Sequence, residues 1–346
     1  MKRLISFFGA VVLGCMALFA QTDGQMTQYF EVPTYYNPGA IGSTDFVRIR
    51  AGSRMQWIGI DHAPRTFLLT ADSPLKLFGK RIGLGIVASS ESAGLFRTLN
   101  IGLQAGYKFK LWKGEFSGAL QIGFANEVFK GSEVFIPDDN DYHQPTDDAI
   151  PKNDVSGNAL DLGVGLYYSK PKWWVGVSCQ HVNAPTVTFQ SENGSDAVAG
   201  GTTSGSGEGD EGPKKYQFTF ERTLYFMAGG NIPIKNTLFE VMPSMMFKTD
   251  FNFWRAEVTG RVRWKKFLTA GVAYRYNDAV SAILAAEYKG FYVGYSYDYP
   301  MSDIAKASSG SHEIIAGYSL KLDFSDKNKN KHKSCLLYTS PSPRDA

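Results

Sequence analysis

Alternation of apolar and polar residues dominates the chain from residue 45 onward. The clearest run is TLNIGLQAGYKFKL, residues 98–111, in which every second residue from Leu99 is apolar and those between are polar or glycine. A side-chain period of two over this length is typical of a β-strand with one apolar and one polar face. The pattern predicts fourteen strands, near residues 45–57, 64–73, 80–90, 96–111, 115–129, 159–169, 172–182, 217–232, 237–248, 253–264, 267–276, 279–288, 291–299 and 311–322.

The lengths of the strands and of their connections point to a membrane barrel. Many predicted strands reach about ten residues, the length at which a tilted strand crosses a bilayer. Tight turns follow the fourth, sixth, tenth and twelfth strands, whereas the long loops 130–158 and 183–216 follow the fifth and seventh. Outer-membrane barrels have short periplasmic turns and long extracellular loops, and a soluble sandwich has no reason for this sidedness. We therefore predict an all-β fold, a transmembrane antiparallel β-barrel of about 14 strands over residues 45–322, in the bacterial outer membrane.

Both ends of the chain lie outside the predicted barrel. Lys2 and Arg3 precede an apolar run that ends at Ala20, which predicts a signal peptide over residues 1–20. The alternative is lipidation at Cys15 in the loose lipobox VLGC, which would cut the apolar run short. A polar tail occupies residues 323–346, and its last part, SCLLYTSPSPRDA (334–346), resembles a translated sequencing adaptor and is predicted to be non-native.

Composition narrows the class of function. A mean hydropathy of −0.20 does not fit a helical membrane protein. The net charge of +3 argues against a general nucleic-acid binder, so no nucleic-acid partner is expected. The three cysteines support neither a disulfide framework nor a paired-cysteine metal site.

Signals for catalysis or a cofactor are poor. GLGIVA, residues 83–88, matches a dinucleotide fingerprint by letter, but strand alternation runs straight through it where a helix would have to begin. His181 and His312 lie at strand ends without a nucleophile pattern. The acidic run around Asp139 lacks the glycine and glutamate of a calcium-binding EF-hand loop, so we favour a solvated loop over the alternative of a loose calcium site. We predict no enzyme, no cofactor and no metal site.

Charged residues alternate with apolar ones on the first and tenth predicted strands. A charge on the lipid face costs about 2–4 kcal/mol at mid-bilayer, so these residues must face the lumen. They can form an internal salt-bridge lattice that stiffens the barrel, or a basic lumen that holds a plug or passes anions. The candidate lumen charges are Arg48, Arg50, Arg54, Arg255, Glu257, Arg261 and Arg263.

The segment before the first strand, residues 21–44, does not alternate. It contains QYFEVPTYYNPGAIGS (28–43), in which Pro33 and Pro38 exclude a central strand or an ordinary helix. Exposure of these aromatic rings to water would be unfavourable. We therefore predict an irregular segment at the periplasmic mouth that folds into the lumen or meets a periplasmic partner. The candidate contacts to a plug site or partner are Tyr29, Phe30, Tyr35, Tyr36, Asn37 and Pro38.

Several of these stretches together resemble a known family. The N-terminal QYF…YYNPGAIGS, the stretch RMQWIGIDHAPRTFLLTADSP, the acidic FIPDDND and the final GSHEIIAGYSLKL are similar to the PorP/SprF proteins of the type IX secretion system. The resemblance covers about residues 21–325. The residues that match the recurring N-terminal signature are Tyr35, Tyr36, Asn37, Pro38, Trp57, Gly59 and Pro64.

The resemblance implies a function and partners. It implies an outer-membrane barrel of Bacteroidetes-type bacteria that serves the export or surface attachment of adhesins with a type B C-terminal sorting domain, often in gliding. The implied partners are such an adhesin, periplasmic secretion lipoproteins that include a peptidoglycan-linked one, and the outer-membrane lipid. An outer-membrane channel for small solutes is the alternative, and a membrane enzyme is a third hypothesis.

The first testable prediction follows from whether a connection comes after an odd-numbered or an even-numbered strand. Residues 130–158 and 191–212 follow odd-numbered strands, so both loops should face outside the cell. Protease added to intact cells should cut there and leave the barrel body protected. Cleavage confined to ruptured cells would reverse the topology.

Overall fold

The computed structural model describes residues 24–77, 80–134, 153–191 and 217–322. In these ranges one antiparallel sheet closes on itself, because its first strand pairs with its last from Phe46 opposite Lys321 to Met55 opposite His312. Every other barrel strand pairs with the strands before and after it in the chain. The predicted all-β barrel of fourteen strands is confirmed. Its strands are β1 Phe46–Met55, β2 Arg65–Leu77, β3 Lys80–Ala93, β4 Phe96–Leu111, β5 Gly114–Phe129, β6 Val155–Lys170, β7 Trp173–Gln180, β8 Thr223–Gly230, β9 Phe239–Thr249, β10 Trp254–Trp264, β11 Leu268–Arg275, β12 Ala279–Tyr288, β13 Phe291–Pro300 and β14 Ser311–Lys321.

Several strand boundaries differ from the prediction, and two of the differences have identifiable reasons. The eighth strand begins at Thr223 and not at residue 217, because Gln217–Thr219 pairs with Thr186–Thr188 in a separate two-stranded sheet. The second strand continues through Pro74 to Leu77. Its pairing with β1 ends at Asp72, so Pro74 has only β3 as a neighbour and its missing N–H is tolerated.

Short elements complete the described chain. The 3₁₀ turns are Tyr29–Glu31, Pro38–Ala40, Gly131–Glu133 and Asp303–Lys306, and a single α-helical turn is Pro33–Tyr36. The remaining short strands are Gln190–Ser191, which pairs with β6, and Ile232–Pro233, which pairs with β9. No helix in these ranges has the length and the hydropathy needed to span a bilayer.

The two faces of the wall differ as the alternation predicts. On β4 the outward Leu103 is 65% exposed, whereas the neighbouring Gln104 is 3% exposed and faces the lumen. The inward Gln104 donates from Nε2 to the carbonyl of Thr34 at 2.8 Å, so the lumen contains part of the chain itself.

The connections define two ends of the barrel. One end has the turns at residues 112–113, 171–172, 265–267 and 289–290, and we call it the short-turn end. The opposite, long-loop end carries the connections after β5 and β7. The division is not complete, since an eight-residue connection, 231–238, lies at the short-turn end and a two-residue turn, 94–95, at the long-loop end. In outer-membrane barrels the short-turn end is periplasmic.

The wall makes a prediction about matched neighbours on β4. Ile101→Arg places a guanidinium on the outward face, where we expect a cost of about 2–4 kcal/mol and a lower folded fraction in membranes. Asn100→Arg should be tolerated, because Asn100 borders a small lumen cavity with Asp161 and Gln180, whose oxygens can accept its hydrogen bonds. The folded fraction is measured from the heat-modifiable migration of the barrel in gels. Equal losses from the two changes would mean that the outward face is not a lipid face.

Candidate functional site: the N-terminal segment in the lumen

Residues 24–43, called here the N-terminal segment, run through the lumen from one end of the barrel to the other. The N–H of Gly24 donates to Glu91 Oε2 (2.9 Å) near the long-loop end of β3. The N–H of Gly42 donates to Asp72 Oδ2 (2.8 Å) towards the short-turn end of β2. The predicted location at the periplasmic mouth thus describes only the last residues of the segment. The rest continues along the lumen because the wall offers it contacts throughout.

The prolines of the segment begin turns. Pro33 and Pro38 each occupy the first turn of a short helical element, where a missing N–H removes no hydrogen bond. Asn37 lies between the two elements, and its Oδ1 accepts from the N–H of Gly39 at 2.7 Å. The prolines therefore exclude a strand and a long helix, as expected, but they allow a compact series of single turns.

The segment and the inner wall share an apolar core. The segment contributes Met26, Tyr29, Val32 and Tyr36, each at most 1% exposed. Tyr36 accepts from the N–H of Met26 at 2.7 Å, and Tyr29 donates to Ser244 at 3.0 Å, so both hydroxyl groups are satisfied. The wall contributes Leu68, Val87, Tyr225, Met227, Met246, Ala285, Tyr292 and Ile315.

Wall glycines make room for the segment. A Cβ added to Gly83 would lie 2.7 Å from the carbonyl oxygen of Ile41, and one added to Gly176 would lie 2.5 Å from Asn37 Nδ2. Side chains at these positions would collide with the segment. The wall glycines with a segment atom among the nearest neighbours of such a Cβ are Gly52, Gly83, Gly85, Gly106, Gly165, Gly176 and Gly294.

Buried charges form a network near the long-loop end. Arg54 lies 2.6 Å from Asp298 and 3.2 Å from Glu313, and Arg275 lies 2.8 Å from Glu257 and 3.5 Å from Asp298. Each of these five side chains is at most 3% exposed. Charges taken out of water at this depth are tolerated only when they are paired and hydrogen-bonded.

The same network holds the start of the N-terminal segment. Glu313 accepts the backbone N–H groups of Thr27 and Gln28 at 2.7 and 2.9 Å. The guanidinium groups of Arg54 and Arg275 both donate to the hydroxyl oxygen of Thr27 at 3.0 Å. One threonine therefore joins two ion pairs through its hydroxyl group.

The candidate lumen charges occupy different parts of the lumen. Arg48 pairs with Asp72 at 3.2 Å and Arg50 with Glu31 of the segment at 3.5 Å. The guanidinium of Arg261 lies 3.3 Å from the centre of the Phe30 ring. In addition, Arg54 and Glu257 belong to the network, Arg263 pairs with Glu240, and Arg255 is exposed near the long-loop end of β10.

The candidate aromatic residues also differ in their surroundings. Tyr29 and Tyr36 are buried in the apolar core, whereas Phe30 and Tyr35 are half-buried at its border. Tyr35 packs edge-on against Tyr36, with ring centres 4.8 Å apart. In addition, Pro38 is buried, and Asn37 donates to the carbonyl of Leu166 at 3.1 Å.

Sequence reasoning missed the partners of these residues. Arg275 and Asp298 are the single charges at inward positions of β11 and β13, and Glu313 is the single charge at a buried inward position of β14. Alternation assigns each of them to the lumen, but only the closed register brings them next to Arg54. An isolated charge at an inward position of a strand was the signal in the sequence that could have identified these ion-pair partners.

A second apolar cluster lies at the long-loop end of the barrel. The short strands Thr186–Thr188 and Gln217–Thr219 fold over β5 and β6, where Val187 and Phe220 pack on Ala125. His181 stacks on the Phe220 ring at 5.1 Å and its Nδ1 lies 2.9 Å from Asp161. This histidine thus fixes the loop against the wall.

Metal binding has no candidate among the described residues, where no group of three His, Cys, Asp or Glu side chains could hold an ion. The acidic run around Asp139 lies outside the described residues.

The fit between segment and wall makes a testable prediction. Gly83→Val should displace the segment near Ile41, because the added carbon collides with its carbonyl. Gly118→Val is the matched control, since a Cβ there faces outward and meets Leu166 at an ordinary 3.6 Å. The readout is thiol labelling of Ala40→Cys, a buried position, in a chain whose own cysteines are replaced by serine. We expect labelling about tenfold faster with Gly83→Val, which corresponds to about 1.4 kcal/mol in the opening of the segment. Equal rates in the two variants would contradict a tightly seated segment.

A comparison with protein families gives a match over most of the chain. The model of the family described as "Type IX secretion system membrane protein PorP/SprF" matches residues 18–318. A comparison with curated protein sequences found no match.

Solved structures that are similar to this chain include the following three. A FadL homologue of Pseudomonas aeruginosa has 10% sequence identity and a TM-score of 0.49, over 83% of this chain and 93% of its own. The toluene transporter TodX of P. putida has 9% identity and a TM-score of 0.45, over 84% and 93%. Omp33 of Acinetobacter baumannii has 7% identity and a TM-score of 0.39, over 80% and 98%.

The family match covers the N-terminal segment and all but the last residues of the barrel. The protein is thus an outer-membrane barrel, and the chain belongs to the PorP/SprF family of type IX secretion system membrane proteins.

Proposed function

We propose that this barrel serves type IX secretion as a closed platform, used for the export or surface attachment of adhesins with a type B C-terminal sorting domain. Adhesins do not pass through its lumen. The observation that carries the proposal is the seating of the N-terminal segment, in which every residue from Gly24 to Gly42 except Phe30, Glu31 and Tyr35 is buried. The description of the family as a type IX secretion system membrane protein supports the role in secretion.

Two lumen cavities lined by described residues are too small for a peptide chain. The cavity beside Tyr35 measures about 30 Å³, and the cavity beside Arg54 measures about 10 Å³. A water molecule occupies about 30 Å³ of liquid volume, so neither cavity admits a peptide. An adhesin chain would need the segment to leave and both the apolar core and the ion-pair network to open.

The short-turn end offers a surface for periplasmic partners. Trp112 lies in the turn between β4 and β5 and is 79% exposed. A large aromatic side chain in this position is the kind of residue that anchors protein interfaces. We assign this end to periplasmic secretion lipoproteins, including a peptidoglycan-linked one.

The alternative function, a channel for small solutes, requires an open lumen. A porin-type lumen is polar and water-filled, whereas this one contains an apolar core with Met227, Met246 and Ile315. The described part of the lumen therefore favours the closed platform.

Site-specific photo-crosslinking in cells that secrete an adhesin tests the proposal. A photoreactive phenylalanine replaces one aromatic residue at a time: Trp112 at the short-turn end, Tyr35 in the lumen, or Phe124 on the outward face. We expect the probe at Trp112 to capture a periplasmic secretion lipoprotein, identified by mass spectrometry. The probe at Tyr35 should crosslink only within the chain.

The outward Phe124 is the matched control for the chemistry of the probe, and it should capture neither lipoprotein nor adhesin. Capture of the adhesin by the probe at Tyr35 would make the barrel a conduit and overturn the proposal. Lipoprotein captured equally by the probes at Phe124 and Trp112 would remove the assignment of the short-turn end.

A further inference from the structure

The outward wall of β3 to β8 contains an apolar groove that the proposed function does not use. Its volume is about 770 Å³, within the range of about 300–1,000 Å³ that is typical of ligand pockets. Apart from Ser178 and Cys179, its lining residues are glycine or have aliphatic or aromatic side chains. Those that form its walls include Leu84, Tyr107, Leu120, Leu166, Val177 and Leu224.

The position of the groove in the wall sets its depth in the membrane. Tyr107 lies four residues before the short-turn end of β4, and Leu166 lies four residues before the short-turn end of β6. At about 3.3 Å per residue along tilted strands, these residues lie roughly 10 Å from that end. The groove therefore opens at the depth of the acyl chains of the periplasmic leaflet.

Small residues explain why the wall is hollow here. Ala105 and Gly118 occupy outward positions between the large side chains, and Gly83, Gly106 and Gly165 have their missing side chains on the lumen face. The groove and the seat of the N-terminal segment thus lie on the two faces of the same patch of wall.

Positive charge lies at the periplasmic border of the groove. The ammonium group of Lys80 lies 5.7 Å from the centre of the Tyr107 ring. The ammonium group of Lys170 lies 5.8 Å from the Tyr168 ring and 5.3 Å from the Trp173 ring. Lysine side chains held over interfacial aromatic rings place their charge at the level of lipid phosphates.

We propose that this groove binds one phospholipid of the periplasmic leaflet, with an acyl chain against Leu120 and Leu166 and the anionic headgroup at the lower border, between Lys80 and Lys170. The apolar lining takes a hydrocarbon chain, and the cations at its lower border take an anionic headgroup. The backbone groups of the wall are paired in the sheet ladder, so the groove offers little to a protein strand.

The barrel carries a matched control for the charges. Lys265 lies 4.7 Å from the Trp264 ring and Lys289 lies 5.3 Å from the Tyr288 ring. These pairs repeat the arrangement of lysine over an outward aromatic ring, on β10 and β12, which do not line the groove. A general attraction to anionic lipid would therefore depend on both pairs of lysines equally.

Native mass spectrometry of the delipidated barrel, titrated with phosphatidylglycerol, tests the site. We expect one lipid to bind first, and Lys80→Gln with Lys170→Gln to weaken it about thirtyfold, the effect of losing two cations near the headgroup. Lys265→Gln with Lys289→Gln should leave this first binding step unchanged. Diacylglycerol with the same acyl chains, which lacks the phosphate, should bind more weakly than phosphatidylglycerol.

Filling the groove tests its shape separately from its charge. Ala105→Trp should abolish the first binding step, whereas Ala282→Trp, the same change at an outward position of β12, should not. If Ala105→Trp does not fold, Gly118→Phe fills the groove from β5. Unchanged binding in the filled and folded barrel would overturn the proposal. Equal losses from the two lysine pairs, or a protein retained at this wall in place of lipid, would also overturn it.

Discussion

Inside a bilayer the backbone finds no water, so every N–H and carbonyl of a spanning strand must be paired within the protein. The pairing of β1 with β14 meets this requirement by closing the sheet. Closure fixes which side chains face lipid and which face the lumen, and it makes the lumen a confined space. The placement of charges, glycines and the N-terminal segment all follow from that confinement.

The lumen is organised as a protein interior. Buried polar groups need partners, and in a narrow barrel those partners come from the opposite wall or from the segment between the walls. Thr27 illustrates this, since its N–H and hydroxyl satisfy groups on β1, β11, β13 and β14. Where the wall carries no side chain, the segment occupies the space, with the backbone carbonyl of Ile41 at Gly83 and the side-chain amide of Asn37 at Gly176.

The sequence predicts the strands of the barrel wall better than it predicts the contacts inside the lumen, and the reason is physical. Alternation is a local property, so the inward positions of Arg50 and Glu257 follow from their neighbours in the chain. The pairing of Arg54 with Asp298 depends on the register of strands distant in sequence, and no local pattern encodes that distance. The same holds for Gln217–Thr219, whose composition resembles a barrel strand but whose neighbour Phe220 packs into a cluster with Ala125 and Val187. For the N-terminal segment, the prolines correctly exclude a strand. Its path through the lumen could not be predicted, because the glycines that it packs against are spread over β1, β3, β4, β6, β7 and β13.

The direct connection of the N-terminal segment to β1 has a consequence for assembly. The strands that seal the barrel are the first and the last of the chain, so the sheet stays open until β14 is in place. The segment has two routes inside: capture by the curved, unsealed sheet, or threading from the short-turn end after sealing. Its partners lie on β3, β6 and β7 on one side and on β10, β11, β13 and β14 on the other, and only the sealed sheet brings the two groups together. If capture precedes sealing, each half of the wall binds the same peptide, and the segment then acts as a template that draws the two edges of the sheet towards each other.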